Sequence, residues 1–251
     1  MHPILLSWGG VKLYTHGLMI VLGALAGGAL IFSLAMMKGF SRKFLFDILV
    51  FSLLMGIVGA RLAYVIFYPY QFSSWPEILM VWHGGLVSFG GIFLGFLTAA
   101  LILRKKGENI FQWFDIGIVG FLLGWAIGRI GCFLAGDVLG VFSNSSLAVG
   151  GRLPVALFES GWCLVLAIAL FLLLWKGQRL LRRLFTGSLF AVGLMGYLIG
   201  RFVIDFWRED SIMHLGLIKL KAGQWSSGFC LMGMIIFFFF YLRSRKGAQN
   251  V

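Results

Sequence analysis

The sequence predicts an all-α protein of the polytopic membrane class. It reads as a helical bundle of seven transmembrane helices with the N-terminus outside and the C-terminus inside. Three observations predict this. Of the 251 residues, 60% are apolar and only 12% are charged, against roughly 25% charge in a soluble domain. Several apolar runs exceed the ~18 residues that read as a membrane span, and mean hydropathy is +0.97. The charges between those runs are shared unevenly by alternate loops. A membrane barrel would show short alternating segments instead.

The spans are expected at 17–37, 44–68, 85–103, 112–135, 155–175, 184–206 and 224–242. The first begins at Gly17 after few charges and has no small-residue cleavage site, so it reads as a retained span rather than a signal peptide. Asp47 and Asp115, near the starts of the second and fourth, read as helix-start carboxylates at the inner interface. The fifth opens just after Pro154. The segments 38–43, 104–111, 176–183 and 243–251 carry thirteen Lys and Arg, against five in the opposite set: Lys12, Arg152, Arg208, Lys219 and Lys221. The positive-inside rule then fixes the orientation. It also absorbs most of the +12 net charge, so no nucleic-acid partner is implied. The whole of 1–251 reads as one transmembrane domain without a soluble module. Cys132, Cys163 and Cys230 lie in or beside apolar runs without CxxC spacing, which points to neither a disulfide framework nor a metal site.

Glycines recur every four residues at Gly120, Gly124 and Gly128, at Gly23 and Gly27, at Gly91 and Gly95, and at Gly196 and Gly200. That spacing lets membrane helices approach closely.

The three remaining cations, Arg61, Arg129 and Arg201, lie inside spans two, four and six, all of which run from inside to outside. At about 1.5 Å per residue, each sits roughly 10 Å below the outer interface. An arginine within an apolar run is costly and needs a partner or a function. One shared depth points to a positive pocket open to the outer leaflet, for which the natural ligand is an anionic lipid headgroup. The alternative is that each snorkels outward or binds helix-end carbonyls. Carboxylates stand nearby to orient the arginines or to accept a proton. Asp205 is one turn beyond Arg201, Glu159 lies near the outer end of span five, and Glu209 and Asp210 follow the cation Arg208 at the interface, with Asp137 in the outer loop after span four. An ion-pair network that only holds helices together is the competing reading. His16 and His83 precede spans one and three on the outer side, and either is suited to act as a base near neutral pH. Cys132 is a possible nucleophile or a buried packing thiol.

These residues lie in stretches that resemble the prolipoprotein diacylglyceryl transferase family. Tyr14-Thr-His-Gly-Leu-Met19 is similar to the entry to its first span. Gly59-Ala-Arg-Leu-Ala-Tyr-Val-Ile-Phe-Tyr68 resembles its Gly-x-Arg-x-x-Tyr-Val-x-x-Tyr. Trp82-His-Gly-Gly-Leu-Val-Ser-Phe-Gly-Gly91 resembles its glycine-rich turn into span three. Gly128-Arg-Ile-Gly-Cys-Phe-Leu-Ala-Gly-Asp137 resembles the signature Gly-Arg-x-Gly-Asn-Phe-x-Asn-Gly-Glu. Pro154-Val-Ala-Leu-Phe-Glu159 resembles Pro-x-Gln-Leu-Tyr-Glu, and Arg201-Phe-Val-Ile-Asp-Phe-Trp-Arg208 resembles Arg-x-x-x-Glu-Phe-x-Arg. Gly223-Gln224 resembles the start of the last span.

The resemblance implies a transferase of the bacterial inner membrane, with its site facing the outer side. Such an enzyme moves diacylglyceryl from phosphatidylglycerol to the lipobox cysteine thiol of an exported precursor. It forms a thioether, releases glycerol phosphate, and needs no metal or cofactor. Arg129, Arg201, His83 and Asp205 are the expected catalytic residues. Arg61, Arg129, Arg201, Arg208, Glu159, Asp137 and His16 are the expected contacts to phosphatidylglycerol. The chain departs from the family pattern at Phe89 (His in the family), His16 (Tyr), Cys132 and Ala135 (both Asn), Asp137 (Glu) and Val141 (Arg). These departures leave room for a relative that uses the same donor with another acceptor. The other alternative is a non-enzymatic lipid-binding membrane protein.

Overall fold

The computed structural model describes residues 3–8, 11–72, 74–81, 84–176, 186–209, 212–215, 218–221 and 223–234. Within them lie helices α1 (Thr15–Met37), α2 (Arg42–Phe67), α3 (Ser88–Lys105), α4 (Ile110–Ala135), α5 (Val155–Lys176) and α6 (Ser188–Ile204), together with α7 over 223–234. The six helical segments α1 to α6, the last running on to Trp207, are long and apolar enough to cross a bilayer. The far half of the expected seventh span lies outside the described residues. So does most of the basic stretch 176–183.

Two antiparallel hairpins were not foreseen. One pairs β1 (Ile4–Trp8) with β2 (Val11–Tyr14), and the other pairs β3 (Ile212–Leu215) with β4 (Ile218–Lys221). Both are too short to stand out from the apolar runs beside them.

The chain forms two compact units, Met1–Ile31 with Phe114–Val251, and Phe32–Trp113. In the first, α1 crosses α4 antiparallel at backbone contact. A Cβ on Gly23 would collide with the Gly124 carbonyl, and one on Gly27 with the Gly120 carbonyl. The four-residue glycine spacing therefore does what it predicts here, with one exception. Gly128 has no neighbour that a Cβ would meet, and the contact stripe resumes at Gly131, which rests on Met19 and His16. The α5 helix is tied to α4 by Ser160 Oγ, which donates to the Ala126 carbonyl at 2.8 Å. It is tied to α6 by Trp162 Nε1, which donates to the Gly196 carbonyl at 2.8 Å. The loop between α4 and α5 is fastened to the chain after α6. Val141 N donates to the Trp207 carbonyl at 2.9 Å and Glu209 N to the Leu139 carbonyl at 3.0 Å. Arg152 pairs with Glu209 and stacks 3.8 Å over Phe142.

In the second unit, α2 and α3 form a hairpin with the same device. Gly59 and Gly90 meet so closely that a Cβ on either would strike the other's carbonyl. The Ser41 side chain caps α2 by accepting from Phe44 N at 3.3 Å, and Trp113 is buried against Phe40 and Phe44. Apolar side chains such as Phe51, Phe93 and Val165 remain more than half exposed along the helices, a surface suited to lipid rather than water.

Candidate functional site

The centre of the first unit is a buried carboxylate. Glu159 lies in the second turn of α5, on the face where Val155, Ala156, Ser160 and Cys163 are also buried. Its side chain is 2% exposed. Oε1 accepts from Trp125 Nε1 at 3.1 Å and from the Tyr197 hydroxyl at 3.3 Å, and it lies 2.9 Å from Arg129 Nε. Oε2 accepts from Arg201 Nη1 at 2.6 Å. One carboxylate thus holds two guanidinium groups, from α4 and α6, one on each oxygen.

A second carboxylate extends the cluster. Asp205 is fully buried just past α6, with Oδ1 3.3 Å from Arg201 Nη2 and 3.6 Å from Arg208 Nη1. Gly223 is packed so tightly on Asp205 that a Cβ there would overlap the carboxylate. Lys221 Nζ donates to the Phe206 carbonyl at 2.9 Å and also to that of Arg208. Three arginines therefore share two carboxylates. Desolvated charges of this kind persist only when hydrogen-bonded and paired, and here the balance stays positive. Arg129 and Arg201 keep 14% of their side-chain surface open, and Arg208 keeps 15%.

The α1–α4 glycine register explains a third group. Carried about two turns beyond the Gly23–Gly124 contact, it brings His16 against Gly131, next to Cys132. His16 lies within hydrogen-bonding range of the Cys132 thiol, and its Nδ1 is 2.8 Å from Asp137 Oδ2. Arg129 Nη1 lies 3.7 Å from Cys132 Sγ, and its guanidinium lies over the Trp125 ring at 5.2 Å. A cation, a thiol, an imidazole and a carboxylate are thus consecutive neighbours. Three of the positions that depart from the family pattern, His16, Cys132 and Asp137, meet here.

Arg61 belongs to the second unit and is held differently. Its Nε donates to the Ile78 carbonyl at 2.8 Å, Nη1 to the carbonyls of Gly84 and Gly85 at 2.6 and 3.0 Å, and Nη2 to that of Glu77 at 2.6 Å. The side chain stacks against Phe72 and Tyr64. Gly84 and Gly85 have φ of 84° and 74°, a left-handed turn that residues with a side chain rarely adopt.

Of the residues singled out from sequence, the structure brings together Arg129, Arg201, Arg208, Glu159 and Asp205, and separately pairs His16 with Asp137. His83 lies outside the described residues. Sequence reasoning missed Trp125 and Tyr197, the two other donors to Glu159. A signal was present, because each stands four residues before an arginine, Arg129 or Arg201, and so on the same helix face. Beside the cluster, an apolar groove of about 740 Å³ runs along α5 and α6, lined by Phe158, Trp162, Val165, Ile199, Val203 and Trp207 among others.

Residues 3–240 match the family model for prolipoprotein diacylglyceryl transferase. Among curated proteins, the chain is similar to the phosphatidylglycerol–prolipoprotein diacylglyceryl transferase of Staphylococcus carnosus. The two are 33% identical over 87% of this chain and 83% of the relative. The protein of that name from Clostridium tetani is 30% identical over 94% of this chain and 97% of its own length. The one from Streptococcus pyogenes is 30% identical over 94% of both.

Proposed function

The chain belongs to the prolipoprotein diacylglyceryl transferase family, and we propose that it moves the diacylglyceryl group of phosphatidylglycerol onto the lipobox cysteine thiol of exported precursors. The observation that carries this reading is the arginine pair held by Glu159. Two guanidinium groups fixed on one buried carboxylate form a preorganised, net-positive receptor for a phosphodiester. They meet the charge that develops on the leaving phosphate without reorganising, which is the most effective use of fixed donors. Asp205 orients Arg201 and Arg208 and does not touch the reacting atoms. The groove along α5 and α6 accepts an acyl chain.

In the transfer, the acceptor sulfur attacks the glyceryl carbon bearing the phosphate. The carbon–sulfur bond forms as the carbon–oxygen bond breaks, and glycerol phosphate leaves with the electron pair. The thiol proton goes to a base. His16, steadied by Asp137 and placed beside Cys132 and Arg129, takes that role. His83 is the other candidate. With the N-terminus outside, the cluster lies a few residues below the outer face of the inner membrane, where a headgroup and an exported peptide can meet. Seven spans follow if 224–242 crosses the membrane as a unit.

The test is turnover of phosphatidylglycerol vesicles with a lipobox peptide. Thioether product from the wild-type protein, lost in Arg129→Ala and reduced in His16→Ala, supports the reading. Lipid turnover without peptide modification points to a different acceptor, the reading favoured by the His16, Cys132 and Asp137 departures. No turnover of either kind overturns both.

A further inference from the structure

The far end of α6 holds an unusual start. Its N-cap position is Gly187, with φ of 94° and no side chain to satisfy the first amides of the helix. Helices normally meet this need with a local Ser, Thr, Asp or Asn. Here the acceptor comes from another helix. Asp115 of α4 accepts from Gly187 N through Oδ2 and from Phe190 N through Oδ1, each at 2.8 Å. The adjacent rings of Phe114 and Phe190 pack at 5.1 Å beside it. The α6 start is therefore both capped and tethered by a single carboxylate.

The spacing along the two helices gives the tether its meaning. Arg129 lies fourteen residues beyond Asp115, and Arg201 lies fourteen residues beyond Gly187. Both arms rise about 21 Å at about 1.5 Å per residue. Equal arms from a common anchor bring the two arginines level, and level is where the two oxygens of Glu159 require them. A slip of α6 by one residue would move Arg201 by ~1.5 Å along the axis and turn it through ~100°. That is enough to break a 2.6 Å contact.

We propose that Asp115 is a positioning residue for the transfer reaction, setting the axial register of α6 on α4 so that Arg129 and Arg201 grip one phosphate together. This rests on the function proposed above for the arginine pair. Asp115 acts through the arginines from the opposite end of the two helices and touches no substrate. Gly193, packed midway against Ile118 and Leu170, lets the two helices follow that register closely.

The experiment compares wild type with Asp115→Ala and Asp115→Asn, each normalised to folded protein by gel filtration and thermal melting. Asp115→Ala is expected to lower kcat at least tenfold while KM for phosphatidylglycerol changes less than threefold. Asp115→Asn, which keeps one acceptor oxygen, is expected to recover at least a third of the loss. The second readout does not depend on turnover. Trp125 donates to Glu159, so Asp115→Ala is expected to shift the indole emission in the wild-type background and to leave it unshifted in a Trp125→Phe background. If the wild-type protein shows no transferase activity but the Trp125-dependent shift is present, the function fails and the register stands. If Asp115→Ala lowers only the folded fraction, with kcat per folded molecule within twofold of wild type and no Trp125-dependent shift, the proposal is overturned.

Discussion

Arg61 and the pair Arg129 and Arg201 carry the same sequence signal, a lone arginine near the end of an apolar helix, yet they are housed in opposite ways. Arg61 is surrounded by neutral acceptors. Four carbonyls of the 77–85 segment take its donors, so its charge fastens a turn in place. Arg129 and Arg201 are held by full negative charges on one side and keep part of their surface open on the other. Carbonyl dipoles fold over a guanidinium and use up its donors, whereas carboxylates on one side orient it and leave donors to spare. The first arrangement suits a structural cation and the second a receptor for an anion.

Substitutions sharpen that contrast. The largest effect is expected at Arg129 or Arg201. Alanine at either should lower transfer by about 100- to 1000-fold, the cost of removing one preorganised charge-stabilising donor, with the protein still folded. Transfer by either variant within threefold of wild type would sink the receptor reading. Next comes Glu159→Gln. Removing one partner of a buried pair costs about 3–5 kcal/mol, which should appear as a marked fall in melting temperature in detergent as well as lost transfer.

Arg61→Lys ranks below these. A single ammonium cannot span four carbonyls, and a buried acceptor left unpaired costs about 1–3 kcal/mol. Proteolysis within 77–85 should therefore rise, while transfer falls less than tenfold. A loss at Arg61→Lys as deep as at Arg129→Ala would erase the distinction between the two kinds of site. The smallest effect is expected for Ser160→Ala, which removes the 2.8 Å bond to Ala126. It should cost about 1 kcal/mol and leave KM for lipid unchanged.

The helices were legible in the sequence because lipid demands long apolar runs. The expected spans 155–175 and 112–135 fall within a few residues of α5 and α4. The meeting of Arg129 with Arg201 on Glu159 was legible for the same reason, because helical rise converts residue number into height. The partners of Arg61 were less so. A carbonyl acceptor leaves no mark in a sequence, and nothing about Arg61 itself distinguishes it from Arg129. The meeting of His16 with Cys132 depends on how α1 lies along α4. The glycine pairs Gly23/Gly27 and Gly120/Gly124 encode that register, but only once the two helices are known to cross antiparallel. Gly128, which shares the repeat, meets nothing, so spacing alone overstates the contact face. The cap on α6 was hidden because its acceptor lies seventy-two residues away from Gly187. Asp115 had been expected only as a start residue of its own helix.

The one-carboxylate, two-arginine arrangement also restricts how such a protein can change over generations. Replacing Glu159 alone leaves Arg129 without its carboxylate and Arg201 with Asp205 only, and replacing either arginine alone leaves Glu159 with half its compensation. A single replacement at any of the three positions is therefore penalised by the charge it leaves behind. Arg61 stands under no such constraint, because its partners are backbone carbonyls that every sequence supplies. Substitution in its surrounding loop, outside the Gly84–Gly85 turn, can proceed one residue at a time.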